Sequence, residues 1–429
     1  LRWPYQARTA STPTRDSWWL SQTQSQHVDR NGFMTDLLIT AGRVLTGPGG
    51  ECVEDGAVLV RGSTIAAVGQ RETLAGLATE GLATKSFPDA TVMPGLIDSH
   101  VHLAFDASSD PVAALQGSDD ETLMAGMADR ARQLLGSGVT TVRDLGDRNG
   151  LAVRLRDVIA DGALPGPRIL SATTPLTSTG GHCWFFGGEV EGADTIRALV
   201  RRNVRAGADV IKVMATGGGL TRGGPAIWQS QFSEDDLRIV VEEAQNAGLP
   251  VAVHAHGTEG IEAAVAAGVN TIEHCTWMAE DGGFDLREDL AAKIKAAGIH
   301  VCTATSPNWR AFAERVGHDR AEELFTSMRW MAHLDVPMIA GTDAGVTRAV
   351  FDKIVNGMEF YQYLGIPLPK IIDMATVNAA HALGIGSDTG QLAEGYRADI
   401  LVVDGNPLVE LDALRRVRLV LAAGRPFHS

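Results

Sequence analysis

Five short stretches carry side chains able to bind a cation or move a proton. They are "DSHVHL" with His100 and His102, "VIKVMAT" with Lys212, "VAVHAHG" with His254 and His256, "TIEHC" with Glu273 and His274, and "AGTDAG" with Asp343. Residues two apart on a strand face the same way, so His100 and His102 present two imidazoles together, which suits a single metal ion. The same alternation puts His254 and His256 on one face and does not separate them. Lys212 poses another problem. It lies among Val210, Ile211, Val213 and Met214, in a run that reads as a strand buried on both faces, with no counter-ion in view. A buried ammonium costs several kcal/mol or loses its proton.

These residues need elements to position them. Eight stretches read as strands: "GLIDSHVHL", "VTTVRDLG", "RILSAT", "VIKVMAT", "VAVHAHG", "TIEHC", "HVCTATSP" and "PMIAGTDAG". Helical patterns separate them, such as "SEDDLRIVVEEAQNAG", where Ser233 is a natural N-cap followed by acids. "GTEGIEAAVAAG" and "REDLAAKIKAAG" have helical apolar spacing as well. An α/β chain of eight successive units predicts a (β/α)8 TIM barrel over residues 94–387. A doubly wound open sheet has the same strand count. The ligand-type residues at five strand ends favour closure, because barrels gather catalytic groups at that face. Residues 34–93 and 388–429 show short strands and glycine turns, and are expected to pair into one small β-sandwich domain. Residues 1–33 lack an apolar core of signal-peptide type and do not begin with Met; they are expected to be an upstream extension, a disordered tail or a swapped arm.

Composition narrows the partners. The 429 residues carry a formal net charge of -15, which argues against nucleic acid and anionic membrane. No apolar run reaches membrane-spanning length. Four cysteines without a C-x-x-C pair indicate neither a disulfide framework nor a zinc ribbon, and fit a reducing cytoplasm.

Taken together, "MPGLIDSHVHL", "VIKVMATGG", "VAVHAHGTEG", "TIEHC" and "AGTDAG" resemble the metal-dependent amidohydrolase superfamily. "ATVNAAHALGI" and "GQLAEGYRADILVVD" resemble its closing helix and returning strands. The nearest branch is the imidazolonepropionase-like prolidases and carboxypeptidases, ochratoxin-type amidases included. The resemblance implies two divalent cations, most simply zinc, with manganese or cobalt as substitutes. It implies that Lys212 is carboxylated by carbon dioxide and that the carbamate bridges the cations. Burial supports this independently, since it leaves a neutral, nucleophilic amine. Carried over residue by residue, His100 and His102 hold the more buried cation and His254 and His274 the second. Asp343 binds the first and serves as base for attack by a bridging hydroxide. The family pattern prefers His254 to His256 as ligand and leaves His256 to the substrate. A small-molecule substrate and a homo-oligomer are implied too.

Two loops bear on the substrate. "TSTGGHCWFFGGEVEG" (Thr177 to Gly192) keeps the family's "TGGH" and offers His182 to a substrate carbonyl or carboxylate. Its Trp184, Phe185 and Phe186 read either as an apolar wall or as loop packing. In "GGGLTRGGPAIWQSQFS" (Gly217 to Ser233), Arg222 is a candidate clamp for a substrate carboxylate and Trp228 a candidate lining of the leaving-group pocket. The expected activity is hydrolysis of an amide in a dipeptide or N-acyl amino acid. The alternative is a carbamate, urea, lactone or cyclic amide on the same metal site.

Overall fold

A computed structural model describes residues 36–76 and 82–427. The expectation for residues 1–33 therefore lies outside the described residues. Strands β1 (Asp36–Leu45), β2 (Cys52–Arg61), β3 (Thr64–Gln70) and β4 (Ala83–Pro94) come first. Then β5 (Leu96–Val101), β6 (Val139–Asp144) and β7 (Arg168–Ser171) alternate with helices, and two short strands follow, β8 (Thr177–Ser178) and β9 (Glu189–Val190). The alternation resumes through β10 (Ile211–Met214), β11 (Val251–Gly257), β12 (Thr271–Met278), β13 (His300–Cys302) and β14 (Met338–Ile339). The chain closes with β15 (Ile400–Asp404), β16 (Val417–Ala422) and β17 (Arg425–Phe427).

Each of the eight stretches expected as strands forms one. They pair in parallel as two sheets, β5-β6-β7 and β10-β11-β12-β13-β14, not as one eight-membered sheet. Two seams join them. At one, Leu176 N donates to Lys212 O and Met214 N to Leu176 O, both at 2.8 Å. At the other, Ser99 N donates to Ala340 O (3.0 Å), Asp343 N to His100 O (2.8 Å) and His102 N to Ala344 O (2.8 Å). The seams run through irregular backbone, so the ladder breaks there while the residues stay adjacent.

Strands β5, β6 and β10 are buried along their whole length, as parallel strands covered by helices are, although β5 and β6 carry polar residues among the apolar ones. The helix Glu234–Asn246 begins where expected. Ser233 Oγ accepts from Asp236 N at 3.2 Å and Asp236 Oδ2 accepts from Ser233 N at 3.1 Å, a reciprocal cap. Strands from the two chain ends pair through β4 and β15, within a seven-stranded mixed sheet ordered β17-β16-β15-β4-β1-β2-β3. The sandwich expected from sequence thus appears as one continuous sheet. Leu401 and Val403 of β15 join the large core beneath the parallel strands, while Val402 and Ile400 face a second core with Ile39 and Val58.

Buried carboxylates tie the loops after β5 and β6. Asp144 Oδ2 accepts from Leu103 N at 2.7 Å, directly after His102. Asp147 caps the helix Leu151–Ala160 by accepting from Ala152 N. Burial lifts the Asp147 carboxyl to about 7, against its hydrogen bonds from Ala152 and Gly150. A raised value means that the folded chain holds this proton more tightly than the unfolded chain, whose aspartates titrate near ~3.9. Stability from this group is complete at low pH and is lost as pH climbs through about 7. Asp147→Asn cannot ionise. Its melting temperature relative to the parent should therefore rise between about pH 4 and pH 8, followed by circular dichroism; a gap that does not change with pH would refute the assignment.

Candidate metal centre

The expected ligand residues converge at the C-terminal ends of the parallel strands. The imidazole nitrogens of His100 and His102 each lie 3.5 Å from Asp343 Oδ1 through Nε2. His254, His256 and His274 form a second group; within each trio the donor atoms lie within 4.8 Å of one another. The two groups touch, because the His100 and His274 ring centroids are 5.2 Å apart. Lys212 lines the same cavity, is 1 % exposed, and its Nζ has no hydrogen-bond partner.

Backbone strain marks this face. His274 and Asp343 both adopt left-handed φ, 67° and 56°, rare for residues with a Cβ. Asp98 holds the Asp343 turn in place: its carboxylate accepts from Thr342 N (3.1 Å), Thr342 Oγ1 (2.6 Å) and His100 N (3.3 Å). One buried side chain thus fastens the β5 end to the segment after β14.

Three of these histidines have one ring nitrogen already engaged, whereas His102 Nδ1 is buried without a partner. His100 Nδ1 lies 2.8 Å from Glu273 Oε2, His254 Nε2 lies 2.9 Å from the Gly217 carbonyl, and His256 Nδ1 lies 2.9 Å from Thr276 Oγ1. Each contact leaves the other nitrogen of that ring for a ligand. Burial, then neighbouring positive charge, holds His102, His254 and His274 well below the usual imidazole value. The same causes bring His256 to about 3. At neutral pH these rings offer lone pairs rather than charge. Burial also draws Lys212 down to about 8, with Glu273 opposing. Burial raises the Asp343 carboxyl and the His100 ring opposes it. Neutral imidazoles, one carboxylate and an orphaned amine, all facing one cavity, fit divalent cations.

Sequence reading put Glu273 at a strand end without a partner and missed Arg143 altogether. Both are buried, and Arg143 Nη2 donates to Glu273 Oε1 at 2.8 Å. Burial would raise this carboxyl, but Arg143 and the His100 hydrogen bond outweigh it and hold it well below the carboxylate range. A signal existed. "VTTVRDLG" places a cation inside a buried strand just as "VIKVMAT" does, but its partner lies 130 residues away in sequence.

The cavity holds about 320 Å³ and is also lined by His182, Cys183, Leu220, Val346 and Thr347. A larger groove of about 700 Å³ elsewhere contains no histidine. His182 is well placed. Its ring centroid is 4.7 Å from that of His254, and its Nδ1 lies 3.2 Å from Thr221 Oγ1. That hydroxyl also accepts from Cys183 N at 2.8 Å; if it donates its own proton to Nδ1, the ring proton is on Nε2, which lies 3.5 Å from Cys183 Sγ. Burial, then Lys212, takes the ring to about 4 and keeps it neutral. Gly218 lies against this ring; a Cβ there would stand 2.4 Å from Nε2.

Other expected substrate contacts are not brought in. Arg222 has 91 % of its side chain exposed, faces Asp110 at 3.6 Å, and does not line the cavity. The carboxylate clamp is absent from this arrangement, because a surface turn carries the arginine outward. Trp228 is half-buried and does not line the cavity either; its carbonyl packs where a Cβ on Gly257 would be, 2.0 Å away. Trp184 is exposed, whereas Phe186 packs on Phe105 with centroids 5.3 Å apart, so the aromatic stretch serves loop packing.

A sequence profile described as the amidohydrolase family matches residues 91–426. The chain belongs to that family. It is accordingly a hydrolase acting on C–N bonds, in a family that is generally metal-dependent and acts on small molecules. This amidohydrolase is 29 % identical over 420 residues to an ochratoxinase from Aspergillus niger, covering 89 % of this chain and 84 % of the relative. It is 26 % identical over 387 residues to an imidazolonepropionase from Deinococcus radiodurans, covering 82 % and 86 %. The structure of a Xaa-Pro dipeptidase with bound methionine superposes with a TM-score of 0.80 at 28 % identity, covering 92 % of this chain and 100 % of that one. The branch expected from sequence is therefore the right one, and the neighbours' fold is of TIM-barrel type. Among the described residues no helix is long and apolar enough to cross a membrane.

A cation that binds only the folded amidohydrolase must stabilise it by mass action, by about 2.7 kcal/mol at a hundredfold excess over Kd. Zinc added to metal-stripped protein should raise the melting temperature by about 3 °C or more, and a chelator should reverse the gain. An unchanged transition at saturating zinc would argue that the two trios are not a metal centre.

Proposed function

We propose that this amidohydrolase is binuclear and cleaves the amide of a dipeptide or N-acyl amino acid. One observation carries the reading: Lys212 Nζ is buried without a partner in the cavity shared by the two donor trios. Burial, by bringing Lys212 down to about 8, enlarges the neutral, nucleophilic fraction that carbon dioxide needs, and the resulting carbamate would offer its oxygens to the cations. His100, His102 and Asp343 would hold one ion and His254 with His274 the other, zinc being the simplest choice. His256, within reach of the second ion, is assigned to the substrate.

Bound there, the cations would supply Lewis acidity, activating water and polarising the scissile carbonyl. The chain's own residues do the rest. Asp343, its basicity raised by burial, takes the proton of the attacking water and returns it to the leaving nitrogen. A C–O bond forms, the C–N bond breaks, and the proton ends on the amine. His182 donates its Nε2 proton to the substrate carbonyl. Its neutral state, with Nδ1 paired to Thr221 Oγ1, suits a donor that does not itself titrate near neutrality.

Fold and surroundings belong to the same reading. The two parallel sheets, joined at both seams, are read as arcs of one (β/α)8 barrel over residues 94–387. The seven-stranded sheet is read as curling around its own core in the manner of a sandwich, built from residues 34–93 and 388–429. Four free cysteines fit a reducing cytoplasm, and a homo-oligomer remains part of the proposal.

A second reading has its own support. Among the described residues Lys212 is the cavity's only lysine, no arginine lines it, and Arg222 stands outside. A site without a free cation suits an uncharged carbamate, urea, lactone or cyclic amide. Dipeptides with a free and with an amidated C-terminus separate the two. Under the first reading kcat/KM should fall by about a hundredfold on amidation. Equal turnover, with faster cleavage of ureas or lactones, would promote the second.

Two variants test the machinery. Lys212→Ala should lose most bound zinc and activity, with partial return on adding short carboxylic acids; full zinc and full turnover would sink the carbamate. Asp343→Asn should lower kcat by on the order of a thousandfold with a smaller change in KM. A near-normal rate per folded molecule would leave Asp343 as merely structural.

A further inference from the structure

The two donor trios differ in what stands behind them. His100 Nδ1 meets a carboxylate, Glu273 Oε2, at 2.8 Å. A carboxylate held by an arginine only accepts, so His100 carries its proton on Nδ1 and turns the Nε2 lone pair toward Asp343. That carboxylate cannot rotate. Its other oxygen takes Arg143 Nη2 at 2.8 Å and Thr271 Oγ1 at 2.6 Å. Arg143 is fixed in turn, donating Nη1 to Thr271 Oγ1 at 2.9 Å and Nε to the Ser99 carbonyl at 2.8 Å. The chain of contacts spans β5, β6 and β12 and is buried throughout. In the second trio the ring nitrogens that are engaged meet neutral groups, the Gly217 carbonyl on His254 and the Thr276 hydroxyl on His256. An anionic acceptor makes an imidazole a stronger donor to a cation than a neutral one does.

We propose that Glu273, clamped by Arg143 and Thr271, is a positioning residue that tightens cation binding at His100, His102 and Asp343 and leaves the His254 and His274 position unaffected. The proposal rests on the binuclear reading. It makes the two positions unequal, with the Glu273-backed one filling first and emptying last.

Zinc titration of the metal-stripped full chain, in competition with a chromophoric chelator, reads both positions. The parent should show two steps. Glu273→Gln keeps the size of the side chain and removes its charge, and should weaken the tighter step by about 10- to 100-fold while the weaker step stays within about threefold. Thr271→Val removes one hydrogen bond to Glu273 without altering charge, and should weaken the same step by a smaller factor. It carries the test if Glu273→Gln fails to fold, as judged by circular dichroism of the metal-free protein. Both steps weakened alike, or the tighter step unchanged in the variants, overturns the proposal while the binuclear reading stands. A parent chain that takes up one zinc or none overturns the binuclear reading itself.

Discussion

Desolvating Lys212 without giving it an acceptor is the constraint on which the rest of this molecule turns. An amine in that position is stable only if it is neutral or if something supplies opposite charge. The surrounding side chains do not quench it. They are imidazoles that burial keeps neutral, Asp343, which faces His100 and His102, and Glu273, which Arg143 and His100 already occupy. The interior has accepted polar groups that satisfy one another poorly, and a pair of cations is the chemistry that would resolve them together.

That arrangement needs rigid backing, and it comes from different elements for different ligands. Asp98 couples the β5 end to the turn that carries Asp343. Arg143 couples β5 and β12 through Ser99 and Glu273. Left-handed backbone at His274 and Asp343 is tolerated because hydrogen bonds on both sides hold it. The two strained residues are themselves proposed ligands, so local strain and the site coincide.

The substrate side of the cavity is built on loops. Thr221 Oγ1 pairs with His182 Nδ1, and Gln231 fixes the backbone of His182 by accepting from His182 N at 2.8 Å while donating to the Met214 and Thr216 carbonyls. This ties the loop that follows β7 to the end of the strand that carries Lys212. The His182 side of the cavity therefore depends on a segment held by a few side-chain hydrogen bonds, whereas the side with the two donor trios depends on the parallel sheets.

The family resemblance chose His254 over His256, but alternation along a strand and the order of strand ends were enough to bring out Lys212, Asp343 and the strand-end histidines as candidates. Those rules are local, and each residue's direction follows from its own strand. The eight parallel strands were legible for the same reason, since buried strands are written as apolar runs. Partners across the fold were not. Arg143 and Glu273 meet only because β6 and β12 come together, and no spacing in the chain encodes a contact 130 residues apart. Arg222 and Trp228 failed as cavity residues on the same ground. A glycine-rich loop leaves the direction of its side chains open, and packing against Gly257 and the pull of Asp110 decide it in three dimensions. Sequence by itself determined which strand ends carry ligands. Tertiary structure decided which groups stand behind them and which loop residues face the cavity, because both depend on contacts between segments that the chain does not place side by side.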